Sequence, residues 1–211
     1  MTTLTQAALH AAAPGAHADI WLPALQAAFD RWQFNTPQRQ AAALGQFAVE
    51  AGPDFSELGE DLYYTHAERI AEVWPTKFSC PEAAASYTKS PQRLANYVYA
   101  GKLGNGDTAS GDGYRFCGGG ICQLTGRDEY TEFADMLGIS VDAAADLVRT
   151  PEGAAMSGCW YLASNGCLPL ADAWMLTAIT RRVNGAAMFG LKERIAASNA
   201  ALRAFQRGIS A

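Results

Sequence analysis

The stretch TPQRQAAALGQFAVEAGPDFSELGEDLYY (36–64) places Glu50 a short loop from further acids, among them Glu57, Glu60 and Asp61. Neighbouring carboxyl groups can divide labour, one protonated as general acid and the other ionised as general base, which is what hydrolysis of a glycosidic bond requires. Glu50 is the acid whose local setting is most defined. Thr36 reads as an N-cap and Pro37 as the first helical position, while Ala41, Leu44, Phe47 and Ala48 recur at helical spacing. The pattern predicts a helix from about Pro37 to Ala51, closed by Gly52 and Pro53. Glu50 then falls in the last turn beside Gln46 and Phe47, where the helix macrodipole disfavours an ionised carboxyl. The competing explanation is a set of surface acids on a loop. Spacing does not choose between Glu57 and Glu60 as its partner, because the Gly52-Pro53 turn can present either. Glu60 is followed by Asp61-Leu62-Tyr63-Tyr64, an apolar and aromatic anchor, and Glu57 is expected to be solvated.

The elements that must position these acids are mostly helical. A short N-terminal helix precedes one starting at Asp19, with Trp21, Leu25, Ala28, Phe29 and Trp32 on one stripe. Thr65-His66-Ala67-Glu68 reads as a capping box opening a helix that stops at Trp74-Pro75. Ser90-Pro91 starts a helix bearing Leu94, Ala95, Val98 and Tyr99 inward, with Gly101 as its end. Residues 101–120, GKLGNGDTASGDGYRFCGGG, are too glycine-rich for a helix and suit a loop that brings backbone close to a ligand. This loop lacks the Gly-Lys-Ser/Thr of a nucleotide-binding loop, the third glycine of a dinucleotide fingerprint, and the ligand spacing of a calcium loop. Further helices are expected over Arg127 to Leu137, from Thr150-Pro151, from about Leu170 to Asn184-Gly185, and at the C-terminus through Leu191, Ile195, Leu202 and Phe205.

The whole chain of 211 residues, 49% hydrophobic and 18% charged, suits one globular domain. A net charge of −5 gives no basic patch for nucleic acid. Gly153 to Ala171 carries no formal charge but is interrupted by Ser157, Ser164, Asn165, Gly166 and Pro169, so a buried helix and turn are expected, not a membrane span. The first basic residue is Arg31, leaving no positive n-region for a secretory signal. Five cysteines cannot all pair within one chain, and reduced thiols are expected. No metal site is expected, since the cysteines lack a second pair or nearby histidines. A cysteine hydrolase using Cys117 or Cys122 with His66 is a weaker alternative without a signature.

Taken in order, four segments resemble glycoside hydrolase family 19, the group of chitinases and chitinase-like phage endolysins. Gln46-x-x-x-Glu50-x-Gly52 is similar to that family's Q-x-x-H-E-S-G, and Glu60-Asp61-Leu62-Tyr63-Tyr64 to its E-N-L-x-Y. Gly111-Asp112-Gly113-Tyr114 with Gly120-x-x-Gln123-Leu124-Thr125-Gly126 resembles G-D-G-W…G-L-I-Q-L-T-G. Val183-Asn184-Gly185 with Arg194 resembles I-N-G-G and its following arginine. The resemblance spans residues 36–197, with 1–35 expected as helices packed on the same single catalytic domain.

The resemblance implies a mostly α, lysozyme-like fold with little or no β, two lobes flanking a substrate groove, and no cofactor. It implies Glu50 as general acid, Glu60 as general base roughly 6.5–9.5 Å away for inversion, and Thr125 as the hydroxyl holding the attacking water. Gln123, Tyr63, Asn184 and Arg194 become sugar-binding or acid-orienting groups. Departures fall at Val49 for the family's histidine, at Cys117 and Gly119 for two arginines, at Glu129 for an asparagine and at Ala186 in I-N-G-G. Arg115 and Arg127 flank the site and could substitute for the missing cations. By the same resemblance the expected function is a monomeric endolysin that cleaves peptidoglycan strands, made in the cytoplasm and released to the wall through a holin-type pore. Chitin hydrolysis, a secreted antibacterial effector and a weakened glycan-binding relative are the alternatives.

Overall fold

Threonine–proline pairs start two of the helices that build the core. In the computed structural model, which describes residues 2–209, the Thr36 hydroxyl accepts from Arg39 N–H and opens α3, while the Thr150 hydroxyl accepts from Gly153 N–H and opens a later helix. Each places proline in the first turn, where its missing N–H costs nothing. The order is α1 (Gln6–Ala12), α2 (Ala18–Arg31), α3 (Pro37–Glu50), α4 (Ala67–Val73), α5 (Pro81–Ala84), α6 (Pro91–Val98), α7 (Asp112–Arg115), α8 (Arg127–Leu137), α9 (Val141–Leu147), α10 (Pro151–Ser164), α11 (Cys167–Asp172), α12 (Leu176–Asn184) and α13 (Leu191–Ile209). Among the described residues extended pairing is confined to two isolated bridges, Gly59 with Gly119 and Gly119 with Leu124.

The described chain divides into two units: residues 2–58, 120–123 and 147–209 form one, and residues 59–119 with 124–146 the other. In the first, α3 packs chiefly on α13, α1 packs on α13 and α3, and α2 packs on α10. The crossing of α3 and α13 depends on Gly45. A Cβ there would stand 1.9 Å from Ser198 Oγ and 2.6 Å from the Arg194 carbonyl. Only a missing side chain lets the two backbones meet this closely, and the approach brings Arg194 beneath the end of α3.

In the second unit α4 and α6 contribute to a core of Ile70, Phe78, Ala84, Leu94 and Val98, against which Tyr64, Trp74, Tyr87, Tyr97 and Tyr99 pack. Gly113 lets α7 lie on α6, since a Cβ there would meet the Ala95 carbonyl at 2.4 Å.

Several expectations are corrected. The helix expected from Leu170 to Asn184 is two, broken at Ala173–Met175, where Trp174 takes φ 54° and its indole N–H donates to Asn199. Thr65 does not form a capping box: α4 begins at Ala67 with His66 at the N-cap and no side-chain cap hydrogen bond. Lys89 N–H donates to the Tyr64 carbonyl at 2.7 Å and so ties down the residue before Thr65. Helix α6 ends at Val98, ahead of Gly101. The glycine-rich segment holds α7, because Asp112 is anchored by Arg127 and by Gly106 N–H. The short helices α5 and α9 had no counterpart in the sequence reading. No disulfide joins the five cysteines, and no helix of the described residues is long and apolar enough to cross a membrane.

Candidate active site

Glu50, Gln123, Asn184 and Arg194 belong to the first unit; Glu60, Tyr63 and Thr125 belong to the second. Glu50 is the last residue of α3. Arg194, from the first turn of α13, is 1% exposed, and its Nη2 lies 2.7 Å from Glu50 Oε1. That oxygen accepts no aligned hydrogen bond, so the contact is an ion pair. The same guanidinium donates from Nε to the Phe189 carbonyl at 2.9 Å and from Nη1 to Gln46 Oε1 at 3.0 Å. Gln46 in turn donates to the buried Thr180 hydroxyl at 3.2 Å. The helix-end position of Glu50 thus meets a buried opposite charge, which offsets the negative end of the dipole.

Asn184 enters this arrangement one step back. Its Oδ1 accepts from Phe189 N–H at 2.6 Å, fixing the loop whose carbonyl receives Arg194. Gly190 in that loop has φ 66°, and a Cβ on it would press on Val49 Cγ1 at 2.6 Å. Gln123 sits in the left-handed region at φ 50° and directs its amide at the Glu57 and Gly120 carbonyls.

Glu60 is held differently. Its N–H donates to the Gly118 carbonyl at 2.9 Å, and its carboxylate receives the Tyr99 hydroxyl at 2.8 Å on Oε1 and 2.9 Å on Oε2, with Gly118 N–H at 3.3 Å on Oε2. Burial, and next the charge of Glu60, push the Tyr99 phenol well above its ordinary value, and the Tyr64 phenol moves the same way for the same causes. Gly119 pairs with Gly59 on one side and Leu124 on the other, so Glu60 and Thr125 each follow directly after a partner of the same glycine. Thr125 N–H donates to Glu129 Oε2 at 2.8 Å, and burial raises the Glu129 carboxyl above the usual carboxylate range. Tyr63 is 55% exposed.

Arg115 and Arg127 do not replace the cations missing at Cys117 and Gly119. Arg115 is bound to Asp142 and Asp146, and Arg127 holds Asp112 through two hydrogen bonds of 2.9 and 2.6 Å. Both are committed to acids of their own. A cavity of about 780 Å³ is lined by Leu170, Trp174, Met175, Arg181 and Ile195 among others, and contains no acid and none of the seven candidate residues.

Two hydrogen-bond partners of the candidate residues, Gln46 on Arg194 and Tyr99 on Glu60, were not assigned as such in the sequence. Gln46 was visible as part of a motif at one helical turn before Glu50, and that spacing was the available signal. Tyr99 was read as a core residue because it continues the apolar stripe of α6; its ring does pack with Leu62, Ala95 and Cys117, and nothing in the stripe marks its hydroxyl.

No family model matches the chain. A protein of Haemophilus influenzae described as a glycosyl hydrolase family 19 domain-containing protein is 33% identical over 156 residues, covering 74% of each chain. The chain belongs to glycosyl hydrolase family 19. Among solved structures, a bacterial family 19 chitinase is similar with a TM-score of 0.60 at 20% identity, over 97% of this chain and 95% of that one. Chitinase C from Streptomyces griseus gives a TM-score of 0.61 at 16% identity, over 97% and 77%. These two likenesses show the family 19, lysozyme-like helical fold. As a member of family 19 the protein is a glycosidase.

Proposed function

We propose that this glycosidase cleaves the β-1,4 glycan strands of bacterial peptidoglycan by an inverting mechanism, as an endolysin does. Glu50 is the general acid that protonates the leaving oxygen, Glu60 the general base that takes a proton from water, and Thr125 the hydroxyl that holds that water. The observation that carries this reading is the pair of unlike settings. One carboxyl is anchored to a buried guanidinium and the other by a phenol and a backbone N–H, so the fold gives each of the two acids a fixed seat of its own. Gln123, Tyr63 and Asn184 contact sugar or support the loops that do, and Arg194 orients the acid. The protein works as a monomer at the cell wall, released from the cytoplasm in which it is made.

Chitin is the second reading, favoured by the chitinase names of the similar solved structures. Digestion of purified peptidoglycan and of chitin, with mass analysis of the new ends, separates them. Reducing ends from peptidoglycan with inverted anomers by NMR are expected. Glu50→Gln is expected to fold and to lose about a hundred- to ten-thousandfold in rate. Retained activity within a few-fold of the parent, or anhydro ends, overturns the assignment.

A further inference from the structure

The carboxylate of Glu60 receives one phenol on both of its oxygens at nearly equal distance, 2.8 and 2.9 Å. The phenol is itself fixed from several sides. Tyr99 closes α6 with its N–H on the Ala95 carbonyl, and its own carbonyl accepts from Asn105 Nδ2 at 3.2 Å. Its ring packs in the cluster of Leu62, Ala95 and Cys117. The hydroxyl is therefore held in place by the fold and does not depend on Glu60 for its position.

We propose that Tyr99 is a positioning residue for the base, holding the Glu60 carboxylate aimed at the attacking water. This rests on the assignment of Glu60 as base made above. A hydrogen bond from a neutral donor is stronger to a carboxylate than to a carboxylic acid, so the phenol favours the form that can accept a proton. Sharing between both oxygens adds a second property: when one oxygen takes the proton from water, the hydroxyl stays on the other without moving its ring. Burial and the adjacent charge keep the phenol protonated, so it remains a donor and does not compete for the base's role.

The test is Tyr99→Phe, which keeps the ring and its packing, assayed on a soluble glycan across pH. The expected result is a fall in kcat of about 10- to 100-fold with KM within about threefold, and an acid limb of the pH–rate profile displaced upward by about one pH unit. Incorporating 3-fluorotyrosine at position 99, an isosteric and better donor, is expected to displace that limb downward. A purely structural role leaves the limb where it is in both variants, and that outcome overturns the proposal. Glu60→Gln separates the two levels of the argument. If it retains activity, the base assignment itself fails; if it is inactive while both Tyr99 variants keep the parental profile, only the role of Tyr99 fails.

Discussion

Glu50 ends a helix against a buried guanidinium, whereas Glu60 follows the bridge residue Gly59 and receives a phenol and a backbone N–H. The first is an ion pair inside the first unit's main helix crossing, and its cation also serves Gln46 and the Phe189 carbonyl. The second involves no cation and lies where two glycine bridges fix the backbone. A buried ion pair is coupled to the fold, because removing one member strands the other in a poorly solvated place. Neutral donors can be removed one at a time, and the loss is felt in the chemistry of the acid before it is felt in the stability of the chain.

The largest effect that tests this contrast is Arg194→Met. It leaves the Glu50 carboxylate without its counter-charge and Gln46 Oε1 without its donor, and a loss of about 3–5 kcal/mol in unfolding free energy is expected by urea denaturation. Tyr99→Phe, at a half-buried site, is expected to cost about 1 kcal/mol in the same experiment. Arg194→Lys does not restore the parent, since one ammonium cannot reach the Phe189 carbonyl, Gln46 and Glu50 in the fork geometry of a guanidinium. If Arg194→Met and Tyr99→Phe cost the same, the difference between the two acids is not one of burial.

The helix of Glu50 was legible to within a residue because its signals are local: a capping threonine, a first-turn proline and an apolar repeat. The acid stretch and the ordered motifs were legible for the same reason. What could not be read is set by contacts distant in sequence. Arg194 lies 148 residues from Gln46, and its burial follows from the absence of a side chain at Gly45. Tyr99 meets Glu60 across 39 positions, and an apolar stripe describes the ring but not the hydroxyl. Arg115 and Arg127 were misread as spare cations because Asp142, Asp146 and Asp112 become their partners only once α7, α8 and α9 are in place. The break at Trp174 is likewise a tertiary choice, since its helical pattern runs through without a glycine or proline to stop it.

The Asp112–Arg127 pair separates charge from burial in that comparison, because it is also an acid held by a guanidinium, but the cation is 40% exposed. The Arg127 hydrogen bond is the main reason the Asp112 carboxyl lies below the usual carboxylate range, with Gly106 N–H adding to it against the opposing effect of burial. An acid whose folded value is depressed stabilises the chain above the unfolded value of about 3.9 and loses that contribution as pH falls through the folded value. With solvent screening of the exposed cation, about 1 kcal/mol is expected. Denaturation of the parent and of Arg127→Gln is therefore expected to differ by about that amount at pH 6 and to converge as the pH is taken below 3. A difference that persists at low pH means that Arg127 acts through its packing over the Phe116 ring and not through its charge.

The smallest expected effect concerns Glu57, the acid that spacing alone could not distinguish from Glu60. Glu57 is exposed, and its backbone is engaged: N–H to the Ala51 carbonyl at 3.1 Å and C=O to Gln123 Nε2 at 3.4 Å. The backbone role does not depend on the side chain, so Glu57→Gln removes one solvated charge and little else. Its unfolding free energy is expected within about 0.5 kcal/mol of the parent, with glycan cleavage within twofold. Glu60→Gln replaces a carboxylate oxygen by an amide that cannot accept the proton from water or both arms of the Tyr99 contact, and its cleavage is expected to fall by at least about a hundredfold. Measuring the two side by side on the same glycan decides which acid is the base. Equal losses would mean that the turn after Gly52 recruits Glu57 when substrate binds, and the firm seat of Glu60 on Tyr99 and Gly118 would then be structural alone.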